Sequence, residues 1–199
     1  MKRTKDGILL SAGDLSGHIA CHHLTFLNLA VAYGRLAKPE GGDPLLLLLQ
    51  ERGQEFERGY LRSLYEQGKK IVEPDGGMDE LPVDRTLSAM KAGVDVIYQA
   101  SLRSDPWLGR ADFLVKVNVP SDLGKWSYEV VDAKLARETR AGTVLQLCLY
   151  GELVAKLQGR TPTEMHVITP EEGQQMHSYR LDDFMAYYRL VKRNVLAIV

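Results

Sequence analysis

Gly109-Arg110-Ala111-Asp112-Phe113-Leu114, Tyr128-Glu129-Val130-Val131-Asp132-Ala133-Lys134 and Gln146-Leu147-Cys148-Leu149-Tyr150 are the three stretches on which the fold of this chain turns. The first two have the composition of neighbouring strands, and the third that of a helix. Side chains alternate along a strand, so Asp132 and Lys134 face one way while Glu129, Val131 and Ala133 face the other. Asp112 belongs to the preceding strand, in a run bounded by Gly109 and Pro120. Consecutive strands usually pair, which puts the two aspartates within cross-strand reach. Gln146 and Tyr150 are four residues apart and share a helix face.

A carboxylate beside a lysine on a strand is ordinarily a solvated surface pair worth little. The ordered combination with Asp112 changes its meaning. Two aspartates, a backbone carbonyl (that of Ala133) and waters make a hard oxygen set suited to octahedral Mg²⁺ or Mn²⁺. An ammonium at Lys134 can orient or deprotonate an attacking water and offset negative charge, which is what hydrolysis of a phosphodiester requires.

The segments around these stretches read as an α/β protein. Residues 94–103, 108–119 and 126–135 are successive strand candidates rich in β-branched and aromatic residues, and their short links predict an antiparallel meander. Residues 45–67 predict a long helix in which Leu49, Gly53, Phe56, Tyr60 and Leu64 form a core-facing stripe. A short helix is expected at 85–92 and another from Thr143 to about Gln158. Residues 165–169 and 175–181 read as short strands, and Asp182 caps a final helix. At the N-terminus, residues 1–7 are charged and expected to fray. Ser11 or Asp14 caps a short helix, and an apolar stretch covers 24–36. Pro/Gly-rich loops are expected at 38–44 and 73–82.

Composition excludes some classes and leaves others open. The chain has 199 residues, 45% of them hydrophobic and 26% charged, enough for one domain with a real core. The net charge of −1 neither demands nor forbids a nucleic-acid partner. Basic residues between 103 and 140, among them Arg110, Lys116, Lys125, Arg137 and Arg140, are interleaved with acids rather than gathered into a tail. The leucine run 45–49 is far too short to span a bilayer. Two cysteines, Cys21 and Cys148, make no disulfide framework, and nothing resembles a secretory signal, so a reducing cytoplasmic setting is the default expectation. Cys21-His22-His23 lacks a second ligand pair at zinc spacing and reads as a helix start.

Gly-x-x-Asp, a hydrophobic run ending in Asp-x-Lys, and Gln-x-x-x-Tyr on the next helix together resemble the PD-(D/E)XK nuclease superfamily, and within it the RecB-type branch. The likeness starts near Leu10 and covers nearly the whole chain. Members of the most similar bacterial group are often the N-terminal part of a longer protein carrying a helicase. The resemblance implies a restriction-endonuclease-like αβββαβ core with a mixed central sheet flanked by helices. It implies one domain over 1–199, with residues 1–44 as an N-terminal helical extension and 45–199 as the core. It implies a Mg²⁺- or Mn²⁺-dependent nuclease acting on DNA ends or single strands, in DNA repair. Asp112 and Asp132 would be metal ligands, joined by the Ala133 carbonyl, and Lys134 the catalytic lysine. Gln146 and Tyr150 would steady the site and contact nucleic acid, together with Arg110 and Arg140. Relatives with an iron–sulphur cluster carry one N-terminal and three C-terminal cysteines. Cys21 has no such trio behind it, so no cluster is expected.

One departure stands out. RecB-type enzymes carry a histidine ligand on an early helix, in a segment resembling Arg-Gly-x-x-His-Glu. Here Arg52-Gly53-Gln54-Glu55-Phe56-Glu57 puts phenylalanine at that place. Either Glu57 or Glu55 then supplies a carboxylate, Glu57 being the expected ligand, or the metal site is weakened. The alternative is accordingly a catalytically weakened nucleic-acid-binding module that serves a helicase or repair partner. A third possibility, a small-molecule-binding α/β protein, would leave Asp112 and Asp132 as separate surface pairs.

Overall fold

The computed structural model describes residues 1–5, 7–39, 43–74, 82–136, 138–171 and 174–199. The loops expected at 38–44 and 73–82 lie partly outside these residues, as does Arg137. The central meander is formed by β4 (Val96–Ser104), β5 (Trp107–Val117) and β6 (Ser127–Ala133), antiparallel throughout. Before it come β1 (Lys2–Thr4), β2 (Gly7–Leu9) and β3 (Ile71–Val72); after it come β7 (Glu164–Thr169) and β8 (Gln175–Arg180). The helices are α1 (Ala12–Ala20), α2 (His22–Ala32), α3 (Pro44–Glu66), α4 (Val83–Ala92), α5 (Ala141–Gln158) and α6 (Asp182–Leu196). Among the described residues the main sheet has six strands in the order β3-β4-β5-β6-β7-β8. It is mixed: β3 runs parallel to β4 and β7 parallel to β6, the latter pair joined by α5. The protein is therefore α/β, with helices on both faces of a mixed sheet.

Two apolar layers hold the sheet. On one face Leu114, Tyr128 and Val130 pack with Leu147, Leu153 and Tyr188 from α5 and α6. On the other, Phe113, Val131 and Ile168 pack with Tyr60, Leu61 and Leu64 of α3, where the Tyr60 ring meets Phe113 edge to face at 5.0 Å. Leu145, Leu147, Cys148 and Leu149 are all buried, so α5 is enclosed nearly all round, and it ends at Gly159 in the left-handed region, φ 65°. The Asp43 carboxylate accepts from the Leu45 N–H at 2.9 Å and Pro44 stands in the first turn, which fixes where α3 starts.

Two expectations are corrected. The described N-terminal residues do not fray: β1 and β2 pair antiparallel, and the Met1 amine sits 2.7 Å from the buried Asp14 Oδ1. The same carboxylate caps α1 by accepting the Ser11 N–H at 2.8 Å. Ile8, Leu10, Ala12 and Leu15 belong to the α5-side core, so this segment is tied into the sheet layer. The stripe on α3 is half right. Tyr60 and Leu64 are buried and Phe56 packs beside them, but Leu45 to Leu49 are 50–59% exposed. The helix meets the sheet only from Phe56 onward, and its first half has no layer to pack on among the described residues. No helix among these residues is long and apolar enough to cross a membrane.

Candidate active site

The site is made by a fork in the sheet. The β5–β6 ladder ends at Phe113↔Val131, one residue short of Asp112 and Asp132. Beyond that rung β5 continues with β4 as far as Trp107, and β6 continues with β7 as far as Ala133. The two aspartates are thus the first side chains past the point where the strands part. The fork is closed by a side chain: Asp112 Oδ2 accepts the Ala133 N–H at 3.0 Å. N–H and C=O of one strand residue point the same way, so the Ala133 carbonyl is directed into the same opening.

The opposite edge of the fork is distorted. The register pairs Tyr98 with Phe113 and Ala100 with Ala111, leaving Gln99 facing Asp112 without ladder bonds. Gln99 has φ of 50°, a conformation costing about 1–3 kcal/mol outside glycine. Across this rung the inward-facing set changes phase in both strands. Ile97 and Ala100 lie in the α5-side core, as do Ala111 and Leu114, while Phe113 lies in the α3-side core. The slip turns Gln99 toward α3, where its Nε2 donates to Glu57 Oε1.

Asp132 is the centre of the cluster and is fully buried. Gln146 Nε2 donates to its Oδ1 at 2.8 Å, and the Lys134 ammonium lies 2.8 Å from Oδ2. Lys134 is the cation that approaches Oδ2, and a carboxylate oxygen with a single such neighbour keeps lone-pair capacity. Burial, and then the nearby charge of Asp112, push the Asp132 carboxyl well above the usual carboxylate range, against the pull of Lys134. Burial works against the charge of Lys134, but Asp132 and then Asp112 outweigh it and hold the ammonium proton more tightly than usual. Glu57 is raised as well, by burial first and by Asp112 second, with the Tyr98 hydroxyl and Gln99 amide bonding to it. Two carboxyls, Asp132 and Glu57, each raised by burial and by the charge of Asp112, stand with Asp112 in one cluster, and this set of oxygens fits a hard divalent cation.

The remaining expected residues divide into those the fold brings to this cluster and those it does not. Tyr150 is buried on the same face of α5 as Gln146 and lies on β5 where Gly109 has no side chain; a Cβ there would stand 2.5 Å from Tyr150 Cε1. Burial, and the Asp132 and Asp112 charges after it, raise the Tyr150 phenol, whose partner is the Arg110 backbone. The Arg110 side chain is exposed and lines a depression of about 600 Å³ with Gln54, Glu57, Arg58, Tyr98 and Gln99. Arg140 is exposed at the N-cap of α5, beside Ala136, Glu138 and Thr139, and is not among the residues of that depression. Glu55 is exposed and faces Arg52 at 3.7 Å, so of the two candidate glutamates Glu57 is the one at the cluster. Phe56 packs in the α3-side core.

Sequence reasoning missed two features. In the sequence Gln99 is only part of a strand, although in the structure it braces Glu57. Glu129, Glu164 and His166 form a second group, each offering one ligand atom within 4.8 Å of the others. The available signal was weak: Glu164 and His166 alternate on β7 as Asp132 and Lys134 do on β6.

No protein-family model matches the chain, and no curated protein matches it. Among solved structures, one described as "Crystal structure of SSO0001" is similar, with 12% sequence identity and a TM-score of 0.44. The match covers 98% of this chain and 79% of that one.

Proposed function

We propose that this protein is a Mg²⁺- or Mn²⁺-dependent deoxyribonuclease of the PD-(D/E)XK, RecB-like type, with a restriction-endonuclease-like core, hydrolysing phosphodiester bonds at DNA ends or in single strands. The observation that carries the proposal is the fork: the ladder stops one residue before Asp112 and Asp132, and Lys134, Gln146 and Glu57 converge there. Asp112, Asp132, Glu57 and the Ala133 carbonyl would hold the ion. A divalent cation so held supplies Lewis acidity toward the phosphate and a more acidic bound water.

The chain's own residues supply the rest. Lys134 is held protonated by its acidic neighbours, so it serves as a cation that orients the attacking water and offsets charge on the phosphate rather than as a base. Gln146 fixes Asp132 in place, and Tyr150 seats α5 against Gly109. Arg110 and Arg58, which line the depression beside Glu57, would pair with backbone phosphates of a bound strand. A second reading, a weakened module acting with a helicase or repair partner, is favoured by Phe56 alone, which packs into the core and offers no ligand.

The test is degradation of end-labelled single- and double-stranded DNA with Mg²⁺, Mn²⁺ or EDTA, beside Lys134→Ala. Metal-dependent cleavage lost in the variant supports the nuclease, and the product ladder separates ends from interior bonds. DNA binding without cleavage under every metal condition favours the weakened module.

A further inference from the structure

Strand β6 carries a second group of ligating side chains on the face opposite Asp132. The parallel register pairs Val130 with Met165 and Val131 with His166, which sets Glu129 beside Glu164 and turns both the same way as His166. This is the face on which Val131 and Ile168 meet α3, but Glu129, Glu164 and His166 lie nearer the strand starts. Their ligand atoms all fall within 4.8 Å of one another.

Each buried member is anchored through one polar atom and turns the other inward. His166 Nδ1 is 2.8 Å from Ser178 Oγ of β8, which fixes the ring and leaves Nε2 facing Glu129 Oε2 at 3.1 Å. Glu129 Oε1 accepts the Glu164 N–H at 3.0 Å. An imidazole held through one nitrogen by a protein oxygen, with the other nitrogen turned toward carboxylates, is the arrangement of a ligating histidine. Charge gives an independent reason. Glu129 is 7% exposed and His166 8%, and no lysine or arginine among the described residues pairs with either glutamate. The Glu164 carboxylate has no partner among the described residues, although Arg180 stands opposite in the β7–β8 register. Two carboxylates against at most one imidazolium leave negative charge in a half-closed site, and a cation resolves it.

We propose that Glu129, Glu164 and His166 bind one divalent transition-metal ion, Zn²⁺ being the probe of choice. One imidazole with two carboxylates disfavours Mg²⁺ and Ca²⁺ and suits Zn²⁺ or its neighbours, with water completing the shell. The ion ties β6 to β7 behind the fork. The proposal does not depend on the nuclease function and stands or falls separately.

The test uses the full chain stripped with chelator and desalted, carrying Asp132→Asn so that the fork contributes no tight site. Zinc is titrated by calorimetry, counted by elemental analysis and read through the melting temperature. The expected result is one zinc per chain and a higher melting temperature. Glu164→Gln decides the matter: its carboxylate has no partner, so the metal-free variant should melt as its parent does, yet lose the zinc and the zinc-induced shift. His166→Ala should lose both, while His177→Ala, outside the group, keeps them. Zinc retained in Glu164→Gln and His166→Ala, or no saturable binding at micromolar zinc, overturns the proposal.

Discussion

Asp132 and Glu129 are three residues apart on one strand and face opposite sides of one sheet, yet their surroundings drive them in opposite directions. Burial is the largest influence on both, and it raises both carboxyls. At Asp132 a second carboxylate, Asp112, adds to that rise, and Lys134 does not cancel it. At Glu129 the bonds from His166 and from the Glu164 and Thr163 backbone outweigh burial, and the carboxyl ends below its ordinary range. Burial alone therefore says little about a carboxylate until its donors are counted. The fork gathers acids faster than donors, which is what the proposed cation site would use. The second group supplies donors from its own histidine and backbone and leaves one carboxylate, Glu164, unmatched.

The largest effects should separate the two groups by function. Asp132→Asn and Lys134→Ala should each lower metal-dependent DNA cleavage at least about a hundredfold. Glu164→Gln should leave cleavage in Mg²⁺ within about twofold of the parent, since it touches nothing at the fork. Initial rates on labelled single strands, measured side by side, check this. Equal losses from both sets of variants would break the separation and make the two groups one device.

Next in size is a change that reaches the fork without touching a charge. Gly109→Ala places a Cβ into the Tyr150 ring, and Tyr150 must shift with α5, which also carries Gln146. Overpacking of this kind costs about 1–3 kcal/mol, or roughly 2–4 °C of melting temperature for each kcal/mol in a chain of this size. Calorimetry should show that loss together with weaker Mg²⁺ activation. Zinc uptake at Glu129, Glu164 and His166 should be unchanged.

The same contrast explains what could be read from the sequence. The fork rests on local spacings: Asp132 and Lys134 two apart on a strand, Gln146 and Tyr150 four apart on a helix. Strand and helix periodicity turn those numbers directly into shared faces. The meander, α5 and α6 were legible for the same reason. The second group rests on the register between β6 and β7, two parallel strands separated by a long helix, and no spacing within either strand reports that register. Gln99 is not legible in the sequence because its importance comes from a break in strand alternation, which no residue pattern marks. Leu49 was misplaced because a helical stripe shows which side can be buried and not how far the neighbouring layer extends. The strand pair Lys2–Thr4 and Gly7–Leu9 is too short and charged to announce itself, and an ion pair from Met1 to Asp14 holds the segment down.

The smallest expected effect is the most direct measure of the Asp132–Glu129 contrast, and it is read in metal-free protein as stability against pH. The folded chain keeps a proton on the raised Asp132 after the unfolded chain has released its own. Stability from this residue therefore falls as pH rises from the ordinary carboxylate range through the folded value. Asp132→Asn removes the loss, so near pH 7 it should be more stable than the parent by about 1 kcal/mol, with the gap closing in acid. Glu129 has the opposite sign: its folded carboxyl is lowered, so its contribution is complete above the ordinary carboxylate range and vanishes as pH falls through the folded value. Glu129→Gln should lose about 1 kcal/mol near neutral pH and little in acid. Urea unfolding of the three proteins from acid to neutral pH checks both signs. If the two variants shift stability in the same direction, burial alone governs this strand and the donors around Glu129 count for nothing.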